Sequence, residues 1–224
     1  MRLYLSSHRM GDSAGALLAM LGNARGTRAA VIANGFDGSS AAAREIYRAE
    51  VFDPHTILAS LGVAAESLDL RAYFGDGPGL RRRLAQFDLV WVMGGNAFVL
   101  RRAMKQSRFD GIIEDMLAAD AIIYAGDGAG AAVAGPTLRG MELLDDPWEL
   151  PENYEESLVW AGLRLTSFTI VPHFRSQHPD SAAAEKVVYY LKARRLPYRA
   201  LSDGEVVVAT GARGAERQQL KRIA

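Results

Sequence analysis

His173 closes an apolar run, Phe168 to Val171 followed by Pro172, and a histidine at the end of a buried strand is well placed to act as a general base. Gly94-Gly95-Asn96 follows another apolar run, Asp88 to Met93, and glycines there let backbone N–H groups point at a developing oxyanion. A third run, Ile122-Ile123-Tyr124, turns through Gly126-Asp127-Gly128-Ala129-Gly130 into a small-residue helix that Pro136 helps to stop. That is the outline of a nucleophile elbow, Gly-x-Ser-x-Gly, in which a sharp strand-to-helix turn projects one side chain above the sheet. Gly128 stands where the serine belongs.

Other readings of these residues carry less. Gly126 to Ala131 also fits the dinucleotide fingerprint Gly-x-Gly-x-x-Gly/Ala, but no strand signal follows in residues 137–157, and Asp145 and Asp146 lie in an acidic, proline-containing loop. Gly11-Asp12-Ser13-Ala14-Gly15 is a literal Gly-x-Ser-x-Gly. Five residues, Ser7 to Gly11, separate Asp12 from the preceding strand, so Asp12 or Ser13 reads as a helix cap. His8, His55 and His178 read as surface residues. No two histidines share helical i, i+4 spacing with a carboxylate, so the spacing lends a metal site little support.

The elements that must carry these residues alternate between strand and helix. Strands are expected at Arg2 to Ser6, Arg28 to Ala33, Leu68 to Leu70, Asp88 to Met93, Ile122 to Tyr124, Phe168 to Val171 and, last, Glu205 to Ala209. Helices are expected from about Ser13 to Leu21 (closed by Gly22-Asn23), from a Ser39 or Ser40 cap toward Val51, and after Asp53-Pro54. Further helices cover Ala97 to Lys105, about Asp110 to Ala119, and Ser181 to Arg194, while Gly75 to Gly79 reads as a turn cluster. This alternation predicts βαβ units and a mostly parallel sheet covered on both faces, with the site at the C-terminal strand ends. The absence of a linker, internal repeat or low-complexity segment predicts one domain over 1–224.

Composition sets the outer limits. The 224 residues carry 26 lysines plus arginines against 26 acidic residues, which steers the chain toward neither nucleic acid nor an anionic membrane. The clusters Arg81 to Arg83, Arg101-Arg102 and Arg194-Arg195 read as solvated helix faces. No cysteine is present, which excludes disulfides, thiolate metal sites and a cysteine nucleophile. No apolar run reaches the roughly 18 residues that span a bilayer, and Leu3-Tyr4-Leu5 is too short for a signal peptide's apolar segment, so a cytoplasmic location is expected.

In order and spacing, the segments Leu3 to Ser7, Val31 to Asn34, Val92 to Phe98, Tyr124 to Pro136, Ile170 to His173 and Leu201 to Glu205 together resemble the peptidase family of peptidase E (aspartyl dipeptidase) and cyanophycinase. The resemblance implies a three-layer α/β/α sandwich with a mostly parallel sheet, like class I glutamine amidotransferases. It implies a serine nucleophile at the elbow, His173 as base, Asp203 as the acidic member with Glu205 in reserve, and the N–H groups of Gly95 and Ala129 as oxyanion donors. Asn96 and Asp127 would then face substrate. The family pattern Gly-x-Ser-Ala-Gly-Ala reads Gly-Asp-Gly-Ala-Gly-Ala here, and the second change, at Asp127, points to natural divergence rather than a designed knock-out.

Without the attacking oxygen, peptide hydrolysis is expected to be absent or very weak. The alternative is a non-catalytic protein that holds a small peptide or amino-acid-like ligand in the same pocket. Neither reading calls for a cofactor, metal, nucleic acid or membrane, and either fits a monomer or homodimer. In the dipeptidase branch an acidic first residue would need a basic partner, for which Arg175, near His173 in sequence, is the candidate.

Overall fold

The structure, a computed structural model, describes residues 1–22 and 26–211 together with the backbone of 219–223. Seven strands form one sheet in the order β3-β2-β4-β5-β1-β8-β9: β1 (Arg2–Ser6), β2 (Arg28–Ile32), β3 (Ala64–Ser67), β4 (Leu89–Val92), β5 (Ile123–Asp127), β8 (Val206–Thr210) and β9 (Gln219–Ile223). The first five are parallel, and β8 and β9 extend the sheet antiparallel beyond β1. A separate parallel pair, β6 (Thr169–Val171) with β7 (Tyr198–Ala200), stands apart from it. This is an α/β fold with a mostly parallel central sheet flanked by helices.

β4 is apolar and buried on every residue because both faces of the sheet are covered there. Within β4, Val90 and Val92 belong to one core and Leu89 and Trp91 to the other. The first core packs under α4 (Gly77–Leu84), α5 (Ala97–Gln106), α6 (Phe109–Ala118), the one-turn α7 (Ala129–Ala132) and α8 (Ser181–Ala193). The second lies beneath α1 (Ala14–Leu21) and α3 (Pro54–Ser60), reached by Leu17 and Leu58. Between them, α2 (Ala41–Ile46) runs on as a π-helical turn to Val51. The expected caps hold: the Ser40 side chain accepts the Ala43 N–H, and Asp53 accepts the His55 N–H with Pro54 in the first turn. Ser13 occupies the N-cap position of α1 but its side chain makes no cap bond, and Gly22 is the C-cap; Asn23 lies outside the described residues.

Several expectations are corrected. The strand expected at Leu68 to Leu70 lies at Ala64–Ser67, because Asp69 instead accepts the Arg71 N–H and caps a 3₁₀ turn, Leu70–Tyr73. Gly75 to Gly79 is only half a turn. Asp76 caps α4 by accepting the Gly79 N–H, so Gly77 to Gly79 already belong to the helix. The strand ending before His173 is not part of the large sheet. The short β7 is an addition to the expected set, and β9 follows the strand that was read as the last.

The arginine clusters divide. Arg81, Arg82, Arg194 and Arg195 are exposed, but Arg101 and Arg102 on α5 are each only 2 % exposed. Arg101 donates to both carboxylate oxygens of Asp110, at 2.7 and 2.9 Å, and to the Ala161 carbonyl. Arg102 donates to the carbonyls of Pro147 and Glu149. Both act as struts under the long connection between α7 and β6. A guanidinium can be buried this way because its planar fork meets several oxygens at once.

Among the described residues, no helix is long and apolar enough to cross a membrane.

Candidate active site

Three neighbouring strands end at one place. Register pairs Ser6 of β1 with Asp127 of β5, and Val92 of β4 with Gly126. The loop residues Ser7, Gly94, Gly95 and Gly128 therefore meet at the C-terminal edge of the sheet, where parallel sheets gather their sites.

At the centre, β5 passes into α7 through Gly128, with φ 53° and ψ −117°. Its N–H points back at the carbonyls of Ser6 and Ser7, 3.2 Å from each. The tightness of the turn depends on Gly130, where an added Cβ would sit 2.1 Å from the Val92 carbonyl oxygen. Position 128 differs. A Cβ there would lie 3.5 Å from Gly94 Cα and 3.9 Å from both His173 Nε2 and the Ser7 carbonyl oxygen, which is ordinary contact. Space for a side chain aimed at the histidine exists, although a positive φ strains any residue other than glycine.

His173, 8 % exposed, also has a left-handed backbone, φ 61°. Its Nδ1 lies 2.9 Å from Asp203 Oδ1, leaving Nε2 directed at position 128. Burial lowers the imidazole pKa, helped by neighbouring His178 and opposed by the hydrogen bond to Asp203. Asp203 is itself placed by the Ser176 hydroxyl, which accepts its backbone N–H at 2.8 Å. Glu205, held in reserve for the acidic role, instead accepts the Ser202 N–H at 2.7 Å and braces the same turn.

Ser7 escaped the residue-by-residue reading except as part of a matching segment. Its hydroxyl accepts the His173 N–H at 2.8 Å and donates to Asp203 Oδ1 at 2.9 Å, joining the two residues. The available signal was a polar residue just past a central strand, at the end where sites form.

Gly95, φ 89°, and Ala129 both line a cavity of about 260 Å³ over Gly128. As the first residue of α7, Ala129 has an N–H without an intrahelical acceptor. Asp127 is 1 % exposed and accepts the Trp91 indole N–H at 2.8 Å and the Gly94 N–H at 3.2 Å. Burial pushes its carboxyl up to about 7 against those two bonds. Asn96 turns away from the cavity. Its carbonyl oxygen caps α5 at Phe98 and Val99, and its amide donates to Asp146 O and Glu149 Oε2.

Asp145 and Asp180 also line the cavity, which has no lysine or arginine among its described residues. Desolvation raises the Asp145 carboxyl to about 7 against the bond it accepts from the Ala97 N–H. Arg175 faces solvent, 3.6 Å from Glu185, and is not a cavity residue. A larger cleft of about 810 Å³ continues from His8 and Asp203 past Arg9 and Arg48.

Two histidines read as surface residues, His8 and His178, belong to this site. His178 stacks on His173 with ring centres 3.7 Å apart, and His8 meets both edge-on at 5.2 and 5.4 Å. Separation in sequence hid this cluster. His55 stays apart, bonded to Asp53 and Ser67. Ser13 is not a residue of this cavity. Among the described residues no strand paired in parallel within the large sheet follows α7, only the antiparallel-paired β8 and β9, so the βαβ unit that a dinucleotide fingerprint requires does not form.

The fold matches solved structures. A candidate peptidase E from Listeria monocytogenes superposes with a TM-score of 0.77 at 22% identity, over 100% of this chain and 98% of that one. A peptidase from an acI-B1 actinobacterium gives 0.64 at 17% identity, over 100% and 88%. An uncharacterized peptidase of Listeria innocua is 30% identical over 128 residues, 57% of this chain and 54% of the relative. A Drosophila melanogaster protein named "Probable alpha-aspartyl dipeptidase" is 26% identical over 139 residues, 60% of this chain and 55% of its own. The chain thus spans little more than half the length of the curated relatives it matches. The model of peptidase family S51 matches residues 39–216, most of the chain, and the protein belongs to that family.

Proposed function

We propose that this protein is a peptidase E-like homologue whose acyl-transfer site keeps a base, an acid and oxyanion donors but lacks the nucleophile, so that peptide hydrolysis is absent or very weak. The observation that carries this reading is the elbow itself. Gly128 is held at positive φ with its missing Cβ position 3.9 Å from His173 Nε2. In this reading His173 is the base, Asp203 orients it through Nδ1, and the N–H groups of Gly95 and Ala129 face the developing oxyanion. A serine hydroxyl at 128 would pass its proton to Nε2 as it attacked the acyl carbon.

The test is Gly128→Ser, assayed with an activated ester and with dipeptides. Hydrolysis that rises well above the parent chain, with a burst of acyl-enzyme, supports a retained site. A folded variant with no gain sinks the reading.

A binding role is the second reading, favoured by the cavity that remains above Gly128 and the backbone donors at its floor. Saturable thermal stabilisation of the parent chain by a peptide or amino acid, without turnover, would support it.

A further inference from the structure

We propose that His8, His173 and His178 form a binding site for a divalent transition-metal ion of the zinc class, open on the side of Gly128. The proposal stands apart from the peptidase reading, since it requires nothing of the nucleophile position except that it be small.

Three imidazoles from three parts of the chain converge here: the segment after β1, the turn after β6 and the loop before α8. One nitrogen from each lies within 4.8 Å of the others. Nitrogens bound to one tetrahedral ion at 2.0–2.1 Å stand about 3.3 Å apart, so the rings must draw in by up to about 1.5 Å. The movement falls on His178, on an exposed loop beside Pro179, because its ring must fan away from its stack on His173 before both can point at one ion.

His173 is already oriented for the task. Asp203 at Nδ1 leaves Nε2 directed inward, the carboxylate–histidine arrangement that positions imidazole ligands on metals. His178 Nδ1 accepts the Asp180 backbone N–H at 3.2 Å, so ligation through Nε2 moves the proton to Nδ1 and exchanges that bond for one to Asp180 Oδ2, 3.5 Å away. His8 Nε2 accepts from Arg9 Nε at 2.9 Å, a bond that ligation through this nitrogen would displace; Arg9 is exposed and free to swing into solvent. Three imidazoles suit zinc, cobalt, nickel or copper rather than magnesium or calcium, which take oxygen ligands.

Gly128 supplies the room. With no side chain at 128, the nearest atoms to the Cβ position are 3.5 Å away or more, and an ion about 2 Å from His173 Nε2 fits between that nitrogen and the turn. Its fourth position would open on the cavity of about 260 Å³. A serine at 128 and an ion would compete for the same imidazole lone pair.

The experiment titrates the tag-free, full-length chain with Zn²⁺ by calorimetry and with Co²⁺ by visible absorption. The expected result is one equivalent bound, with the intense visible bands of tetrahedral cobalt. His8→Ala and His178→Ala should each weaken binding at least tenfold, while His55→Ala leaves it unchanged. Circular dichroism on each variant verifies the fold, and His178→Gln, which keeps the side-chain length, serves if the alanine variant does not fold. Absence of saturable binding, or an affinity unmoved by His8 and His178 replacement in folded protein, would overturn the proposal.

Discussion

His173 Nδ1 and Asp203 Oδ1 are 2.9 Å apart, and both are tied to the hydroxyl of Ser7, which accepts the backbone N–H of the histidine and donates to the carboxylate. His173 is therefore fixed at its ring, through Asp203, and at its main chain. A residue at φ 61° needs such support, because the left-handed region disfavours any side chain with a Cβ.

Ser7→Ala leaves the buried His173 N–H without its acceptor, at a cost of about 1–3 kcal/mol in stability. In the Gly128→Ser background it should lower kcat with little change in KM, since it loosens the base without touching substrate. Equal loss in the two constants would argue instead for a role in binding.

Placing serine or alanine at 128 should destabilise the fold by about 1–3 kcal/mol, because the backbone must keep its positive φ. Urea unfolding of Gly128→Ala and Gly128→Ser measures this. A neutral or stabilising effect would mean that the turn relaxes away from the elbow geometry.

The Gly128→Ser variant should depend on neutral His173. Burial lowers the pKa of this imidazole, so the acid limb of kcat/KM should fall below the ordinary histidine value of about 6.5. A limb above 6.5 would show that the Asp203 interaction outweighs burial.

Asp127 makes stability depend on pH. Its folded pKa of about 7 lies above the unfolded value near 3.9, so between those values the folded state binds more protons than the unfolded one. The contribution is most favourable below about pH 4 and is lost as pH rises to 7, on the order of 4 kcal/mol for this one group. Unfolding of Asp127→Asn against the parent from pH 5 to 8 isolates it: the difference should shift toward the asparagine variant as pH rises. Trp91, whose indole donates to Asp127, reports the same titration by fluorescence.

The charges around the cavity bear on substrate. Among the described residues, Asp145 and Asp180 line it without a lysine or arginine, and Arg175 lies in solvent. Gly128→Ser should therefore cleave substrates with a neutral or basic residue before the scissile bond faster than aspartyl ones. A preference for aspartyl dipeptides in kcat/KM would refute this.

Much of the molecule was legible locally. Alternating strand and helix signals, the Asp53-Pro54 and Ser40 caps and the glycine turn at 126–130 are short-range physics, written in adjacent residues. His173 and Gly95 were marked by their places just past strand ends, while Asp203 and Ala129 came only from the family resemblance. What stayed hidden depends on residues distant in sequence. Arg101 and Arg102 resembled a solvated face until the connection from α7 to β6 folded over them and supplied carbonyls. Asn96 sat in an oxyanion-like triplet, yet its amide is committed to the loop at Asp146 and Glu149. Ser7, His8 and His178 had no local pattern that tied them to His173. Sequence by itself determined the alternating elements, the glycine turn at 126–130 and the absence of a side chain at 128. Tertiary structure alone decided which polar groups face that gap, because only packing brings the ends of β1, β4 and β5 and the turn after β6 to one point.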